Sequence, residues 1–129
     1  TQTWDMPDYS SEEAALILQP YLIEYPRLWN ENDSVSLSQL YSPNATLVEK
    51  DKRGVYGRSE IEKAVRPFLG TLKAWNMSFS GAGELIRFKS EYECKHLSGM
   101  IYKGNFIQIF RKEGDKWFIV HDEFHHNPI

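Results

Sequence analysis

The chain has 129 residues, of which 41% are hydrophobic and 26% charged, and its formal net charge is −3. This composition is typical of a folded globular domain and excludes a disordered, fibrous or transmembrane chain. The basic residues are dispersed, which argues against binding to nucleic acid or to an anionic membrane, and the one cysteine excludes a disulfide framework. We therefore expect a single domain over residues 1–129, with residues 1–9 as an irregular leader.

The first element in chain order is predicted to be a helix. Ser10 and Glu13 have the spacing of a capping box, and apolar residues then follow a 3.6-residue period to about Asn32. Pro20 and Pro26 lie inside this pattern and predict a kink or two collinear helices.

A second short helix is expected to start at Asp33 or Ser34 and to stop at Pro43. The elements predicted next are a strand over residues 45–49, a charged loop over residues 51–56 and a third helix from residue 57 to about residue 72.

The rest of the chain alternates between apolar and polar residues with the period of β-strands. The predicted strands cover residues 75–80, 91–102, 105–112 and 117–124. Gly81 and Gly83 predict a bulge or bend, Lys103-Gly104 a tight turn, and residues 113–115 the loop of the last hairpin. Helices that precede a curved antiparallel sheet make an α+β domain, in which the first helix would close one side of a cone-shaped pocket.

The four histidines do not predict a metal site. His121 and His125 are four residues apart in strand sequence, which separates them by about 13 Å and is too far for one ion. His126 is expected to lie with His125 in a frayed tail, and His96 shares a strand face with Cys94. A nucleophilic cysteine–histidine pair is the alternative there, and a half-buried thiol is favoured. No cofactor is predicted.

Only one of His121 and Asp122 can face the pocket, because neighbouring residues on a strand point to opposite sides. A three-residue loop before the last strand would place Gln108 beside Asp122, whereas a two-residue loop would place it beside His121. The sequence leaves both open, and we favour Asp122.

Several short motifs resemble the nuclear transport factor 2-like superfamily and its SnoaL-like branch. They are Trp29, Asp33, Leu40-Tyr41, Ala45-Thr46, Gly57-Arg58-Ser59-Glu60-Ile61 and the strand from Lys116 to His121. The resemblance implies a cone fold with an apolar, aromatic-lined pocket.

Ketosteroid isomerase shares that fold, and an alignment with it implies three catalytic positions. Tyr25 falls where that enzyme has its oxyanion tyrosine, Glu49 where it has its base, and Gln108 where it has a protonated aspartate. The residues expected to line the pocket are Trp29, Tyr41, Trp75, Phe79, Phe110, Asp122 and Phe124. Trp29 and Tyr41 should be mostly buried near the closed end of the cone.

Two functions from different classes fit these features. The first is a small-molecule-binding domain for an apolar ligand, with acid–base chemistry of the isomerase, dehydratase or cyclase type. The alternative is a dimeric assembly or adaptor domain without catalytic activity that uses the outer sheet face. The residues expected on that face are Tyr92, Met100, Tyr102, Ile107 and Ile109. A homodimer is expected in either case.

Three asparagines lie in glycosylation sequons, at Asn32, Asn44 and Asn76. Secretion is therefore one hypothesis. A cytoplasmic protein is favoured, because helix caps and turns also select Asn, Ser and Thr and the sequence carries no signal segment.

Overall fold

The computed structural model describes residues 8–128, with side chains up to residue 126. The elements in chain order are β1 (Asp8–Tyr9), α1 (Ser11–Asn30), α2 (Ser34–Ser38), β2 (Tyr41–Glu49), β3 (Arg53–Tyr56), α3 (Arg58–Val65), a 3₁₀ turn (Arg66–Phe68), β4 (Gly70–Ala82), β5 (Leu85–His96), β6 (Ile101–Glu113) and β7 (Lys116–Pro128). The seven strands form one sheet in the order β1-β4-β5-β6-β7-β2-β3. This arrangement confirms the predicted α+β class, with N-terminal helices on a curved sheet.

Helix α1 begins where the capping box predicts. The Ser10 hydroxyl accepts a hydrogen bond from the Glu13 amide at 3.0 Å, and the Glu13 carboxylate accepts one from the Ser10 amide at 2.9 Å. Pro20 and Pro26 are accommodated within one continuous helix. The buried residues of α1 are Ala14, Leu18, Leu28 and Trp29. This face packs against the sheet, chiefly on β4.

The four long strands β4 to β7 form an antiparallel meander, as predicted. Strand β2 then joins β7 in parallel, and β3 pairs with β2. The inner face of the sheet is apolar, as β5 illustrates: Ile86, Phe88, Ser90, Tyr92 and Cys94 are buried at every second position. The cavity described below lies between this face and α1.

Several of the predicted boundaries are wrong. Helix α2 ends at Ser38 instead of Pro43, and strand β2 begins at Tyr41 instead of residue 45. The loop expected over residues 51–56 is a turn followed by strand β3. Helix α3 stops at Val65 instead of residue 72, because Pro67 has no N–H and cannot form the next helical hydrogen bond. The expected leader ends earlier: residues 1–7 lie outside the described residues, and Asp8–Tyr9 pair with β4.

The turn between β5 and β6 also lies elsewhere than predicted. The chain turns at residues 97–99, where Gly99 has a φ of 98°, and Lys103-Gly104 lies inside β6. A Cβ at Gly104 would overlap the backbone oxygen of His125, so glycine is needed there for close strand approach and not for a turn. As a result, Tyr92 is buried on the inner face and Tyr102 packs on Phe68, so neither belongs to the outer face.

None of the helices described is both long and apolar enough to cross a membrane.

Candidate functional site

A cavity of about 90 Å³ lies between α1 and the inner face of the sheet. Its walls are mainly aromatic and aliphatic. Among the described residues, no lysine, arginine or histidine lines it, and Asp122 is its one acidic residue. Met77 on β4 lines the cavity while 47% exposed, which places the edge of the opening there. The cavity is therefore apolar with one ionisable carboxyl group.

The structure brings together seven of the ten residues that the sequence suggested. Tyr25, Gln108, Trp29, Tyr41, Phe110, Asp122 and Phe124 all line the cavity, whereas Glu49, Trp75 and Phe79 do not. Four different elements, α1, β2, β6 and β7, thus contribute side chains to one site.

The polar end of the cavity is built around Asp122, which is only 4% exposed. Its Oδ2 accepts a hydrogen bond from the Tyr41 hydroxyl at 2.6 Å and another from Gln108 Nε2 at 3.1 Å. Burial raises the pKa of Asp122 to about 6, and these two hydrogen bonds, with the nearby His121, act in the opposite direction. The carboxyl group can therefore hold or release a proton near neutral pH.

Tyr25 extends this network from β2 to α1. Its hydroxyl lies 2.9 Å from that of Tyr41. Since the Tyr41 proton points to Asp122, Tyr25 donates to Tyr41. Burial, with the charge of Asp122, raises the pKa of both phenols, so they remain neutral donors.

Strand register decides that Asp122, and not His121, faces the cavity. Glu113 pairs with Lys116, so the loop has two residues. A register shift between Ile109 and Phe110 then places Gln108 opposite Asp122. The interpretation that favoured Asp122 matches this orientation, although the three-residue loop on which it was based is wrong.

His121 lies on the other face of β7. Its Nδ1 is 2.7 Å from the Thr46 hydroxyl of β2, and its Nε2 is 3.6 Å from a Glu123 carboxylate oxygen.

Glu49 is the main correction among the candidate residues. The turn after β2 brings Lys52 to 3.4 Å and Arg53 to 3.7 Å from its carboxylate, while His126 Nε2 lies at 3.5 Å. Glu49 is thus held outside the cavity. The prediction of a base at this position is not supported, because the alignment with ketosteroid isomerase placed Glu49 at a strand end and could not foresee the hairpin to β3.

His126 is also corrected, since it is buried and not part of a frayed tail. Its ring packs among Phe68, Tyr102 and Phe124, and burial lowers its pKa. Its Nδ1 has no hydrogen-bond partner among the described residues.

Trp75 and Phe79 occupy β4 without reaching the cavity. Trp75 pairs with Glu91, with the Lys103 ammonium 5.8 Å from the centre of its ring. Phe79 stacks on Phe88 at 4.9 Å, and Phe88 is the one of the two that lines the cavity.

The sequence interpretation missed several lining residues of β5 and β6, namely Phe88, Tyr92, Cys94 and Phe106. The alternation of apolar residues along residues 86–94 is the signal that could have identified the first three. Burial raises the pKa of Cys94 to about 12, so its thiol stays protonated and the nucleophilic alternative is not supported.

No group of three metal-ligating side chains occurs between residues 8 and 126. Trp29, which lines the cavity, carries the second buried polar atom without a hydrogen-bond partner among the described side chains, after His126. Its Nε1 is buried and has no acceptor within the part of the chain that the structure describes.

Neither a protein-family model nor a curated protein sequence matches the chain. Its structure, however, resembles many solved structures. One, from Novosphingobium aromaticivorans, is described as a candidate scytalone dehydratase and has a TM-score of 0.73 at 14% identity, covering 87% of this chain and 83% of the other. Another from that organism, described as a candidate aromatic ring hydroxylase, has a TM-score of 0.76 at 11% identity and coverages of 94% and 95%.

A third structure from Novosphingobium aromaticivorans is an NTF2-like protein with a cystatin-like fold. Its TM-score is 0.71 at 15% identity, with coverage of 89% of this chain and 82% of the other. At such identities the similarity concerns the fold and not the activity. The resemblance found in the sequence is thereby confirmed at the level of structure: the chain has the nuclear transport factor 2-like, cystatin-like fold.

Proposed function

We propose that this protein binds a small, largely apolar molecule in the cavity and holds its polar group at Asp122. The observation that carries the proposal is a buried carboxyl group, hydrogen-bonded by Tyr41 and Gln108, at one end of an otherwise apolar cavity. A buried ionisable group is costly to a fold, and such groups are concentrated at functional sites. One similar structure is described as a candidate aromatic ring hydroxylase, and an aromatic ligand would suit these aromatic walls.

Binding can be tested with three probes of similar shape and different charge: neutral 2-phenylethanol, cationic 2-phenylethylamine and anionic 3-phenylpropanoate. Isothermal titration should detect saturable binding of at least one of them. Ala74→Phe, which fills the cavity from β4, should abolish binding, whereas Ser80→Phe, on an exposed position of the same strand, should not. The proposal fails if none of the probes binds or if Ala74→Phe leaves binding unchanged.

Acid–base chemistry on the ligand is a second candidate function, supported by the pKa of about 6 at Asp122. As a carboxylate, Asp122 would remove a proton next to a ligand carbonyl group. Exchange of the α-protons of 2-tetralone with D₂O, followed by NMR, tests this. The wild-type protein should accelerate exchange about 100-fold or more, and the rate should rise with pH through about 6. Asp122→Asn should remove the acceleration, and Glu123→Gln, the next residue on the strand, should keep it. An equal rate in Asp122→Asn would exclude this chemistry.

A further inference from the structure

The hydrogen atoms of the polar network are directed toward Asp122. Tyr25 donates to Tyr41, Tyr41 donates to Asp122, and Gln108 donates to the same carboxylate oxygen. Both phenolic protons are therefore already used inside the protein when Asp122 is ionised. Neither phenol is then free to donate to a ligand oxygen, which was the role predicted for Tyr25.

One hydrogen-bond acceptor of this network, Asp122 Oδ1, remains available to a ligand. Both hydrogen bonds that described residues make to the Asp122 side chain end on Oδ2, and Oδ1 receives neither. Since Asp122 lines the cavity, Oδ1 can accept a hydrogen bond from a ligand there. The polar end of the cavity therefore calls for a hydrogen-bond donor.

The charges around Asp122 indicate which kind of hydrogen-bond donor the ligand should carry. The titratable side chains around Asp122 are Tyr25 on α1, Tyr41 on β2, Tyr92 and Cys94 on β5, and the adjacent His121. The first four have raised pKa values and are neutral at pH 7. His121 points to the other face of the sheet, and among the described residues no cationic side chain lines the cavity. The Asp122 carboxylate is thus a buried anion without a counter-ion inside the cavity, an arrangement that a cationic ligand would relieve.

Three aromatic rings lie near this carboxylate. The ring of Tyr25 lies 6.4 Å from that of Tyr41 and 5.9 Å from that of Trp29, and all three line the cavity. Tryptophan and tyrosine faces attract cations within about 6 Å of the ring centre, and more strongly where water is excluded.

We infer that the ligand of this cavity carries a protonated amine, which pairs with Asp122 Oδ1 and is flanked by the rings of Tyr25, Trp29 and Tyr41. The inference rests on the proposed function, since it requires a small-molecule site. An ammonium group provides the hydrogen-bond donors and the positive charge that this end of the cavity lacks. The same reasoning excludes carboxylate and phosphate ligands, which would meet a like charge.

The three probes introduced above also test this inference. At pH 7, 2-phenylethylamine should bind at least tenfold more tightly than 2-phenylethanol, and 3-phenylpropanoate should bind most weakly. Asp122→Asn should weaken binding of the amine at least tenfold while changing that of the alcohol less than threefold. Glu123→Gln, whose side chain faces away from Gln108, should leave both affinities unchanged.

The pH dependence of the wild-type protein gives a second measurement that needs no variant. An alkyl amine stays protonated well above neutral pH, and among the described side chains that line the cavity Asp122 is the one that changes charge between pH 7 and pH 5. With a pKa of about 6, its ionised fraction falls about tenfold over this range, and the amine affinity should fall by the same factor. The inference would be overturned if 2-phenylethanol binds as tightly as 2-phenylethylamine or more tightly. It would also be overturned if the affinity for the amine is the same at pH 5 and pH 7 and the same in Asp122→Asn as in the wild type. Cavity binding itself would then still stand if at least one probe binds and Ala74→Phe abolishes that binding.

Discussion

Burial of the Asp122 carboxylate should lower the free energy of unfolding by a measurable amount. Its pKa in the folded protein is about 6, compared with 3.8 for an ordinary aspartate, so the folded state holds the proton more tightly than the unfolded chain does. The free energy of unfolding should therefore decrease as pH rises from about 4 to about 6 and stay low above that. At about 1.4 kcal/mol per pKa unit, the decrease is about 3 kcal/mol.

Asp122→Asn should lack this decrease, because an amide does not titrate. Urea unfolding of both proteins at pH 4 and pH 7 measures the effect. The stability of the wild type relative to the variant should fall by about 3 kcal/mol between the two conditions. Parallel pH curves would mean that Asp122 is not buried as described, and Glu123→Gln is the control that should follow the wild type.

Trp29 belongs both to the buried face of α1 and to the wall of the cavity. It is buried, and its ring contacts that of Tyr25. Trp29→Ala should cost about 3–5 kcal/mol of the free energy of unfolding, as large-to-small changes in a core do. Trp75→Ala provides the comparison, because Trp75 is only half-buried and should cost less. Equal losses in the two variants by urea unfolding would contradict the assignment of Trp29 to the core.

At the scale of elements, the β6–β7 pair positions Gln108 and Asp122, and its two strands approach each other closely at Gly104. Gly104 lies opposite His126, where a side chain would overlap the backbone of His125. Gly104→Ala should therefore separate the strands and lower the free energy of unfolding by about 2 kcal/mol or more. Gly54→Ala on β3 is the matched control, since its Cβ would meet atoms no closer than 3.6 Å. If Gly104→Ala is as stable as Gly54→Ala in urea unfolding, the turn predicted at residues 103–104 becomes the better assignment.

Local chemistry explains which elements the sequence could predict. The start of α1 is encoded by Ser10 and Glu13, which bond to each other within one turn, and the cap of α2 by Asp33, which accepts from the Ser36 amide. The β5–β6 turn depends on how two strands approach, and a glycine needed for that approach looks like a turn glycine in sequence.

The same distinction applies to the candidate site. Tyr25 and Gln108 were among the candidates because the alignment with ketosteroid isomerase implied them, and both lie on regular stretches of α1 and β6 where such an alignment carries over. Asp122 was favoured over His121, but on a three-residue loop; the register shift near Phe110 that actually turns Asp122 inward is a tertiary feature without a sequence signal. Glu49 was misplaced because its ion partners arrive from the following strand.

For the whole molecule, the two sides of the sheet have different properties. The inner side carries the core and the cavity, whereas the outer side of β6 presents Ile107 and Ile109. Ile107 lies between Lys89 and Glu123 across the neighbouring strands, and Ile109 lies between Arg87 and His121. The apolar row is therefore narrower than the sequence suggested, since Tyr92 and Tyr102 do not belong to it.

A narrow apolar row flanked by charges favours a homodimer that dissociates on dilution, because interface cores gain most from apolar contact and gain little from exposed ion pairs. We expect dimers at tens of micromolar in sedimentation velocity and monomers at concentrations about 100-fold lower. Ile109→Lys should give monomers throughout that range and keep the wild-type free energy of unfolding within about 1 kcal/mol, because the side chain is only half-buried. Leu16→Lys is the control: Leu16 is an exposed residue of α1, which packs chiefly on β4, and its replacement should leave the dimer intact. A wild-type protein that is monomeric at tens of micromolar, or a dimer that persists in Ile109→Lys, would assign the outer face no role in association.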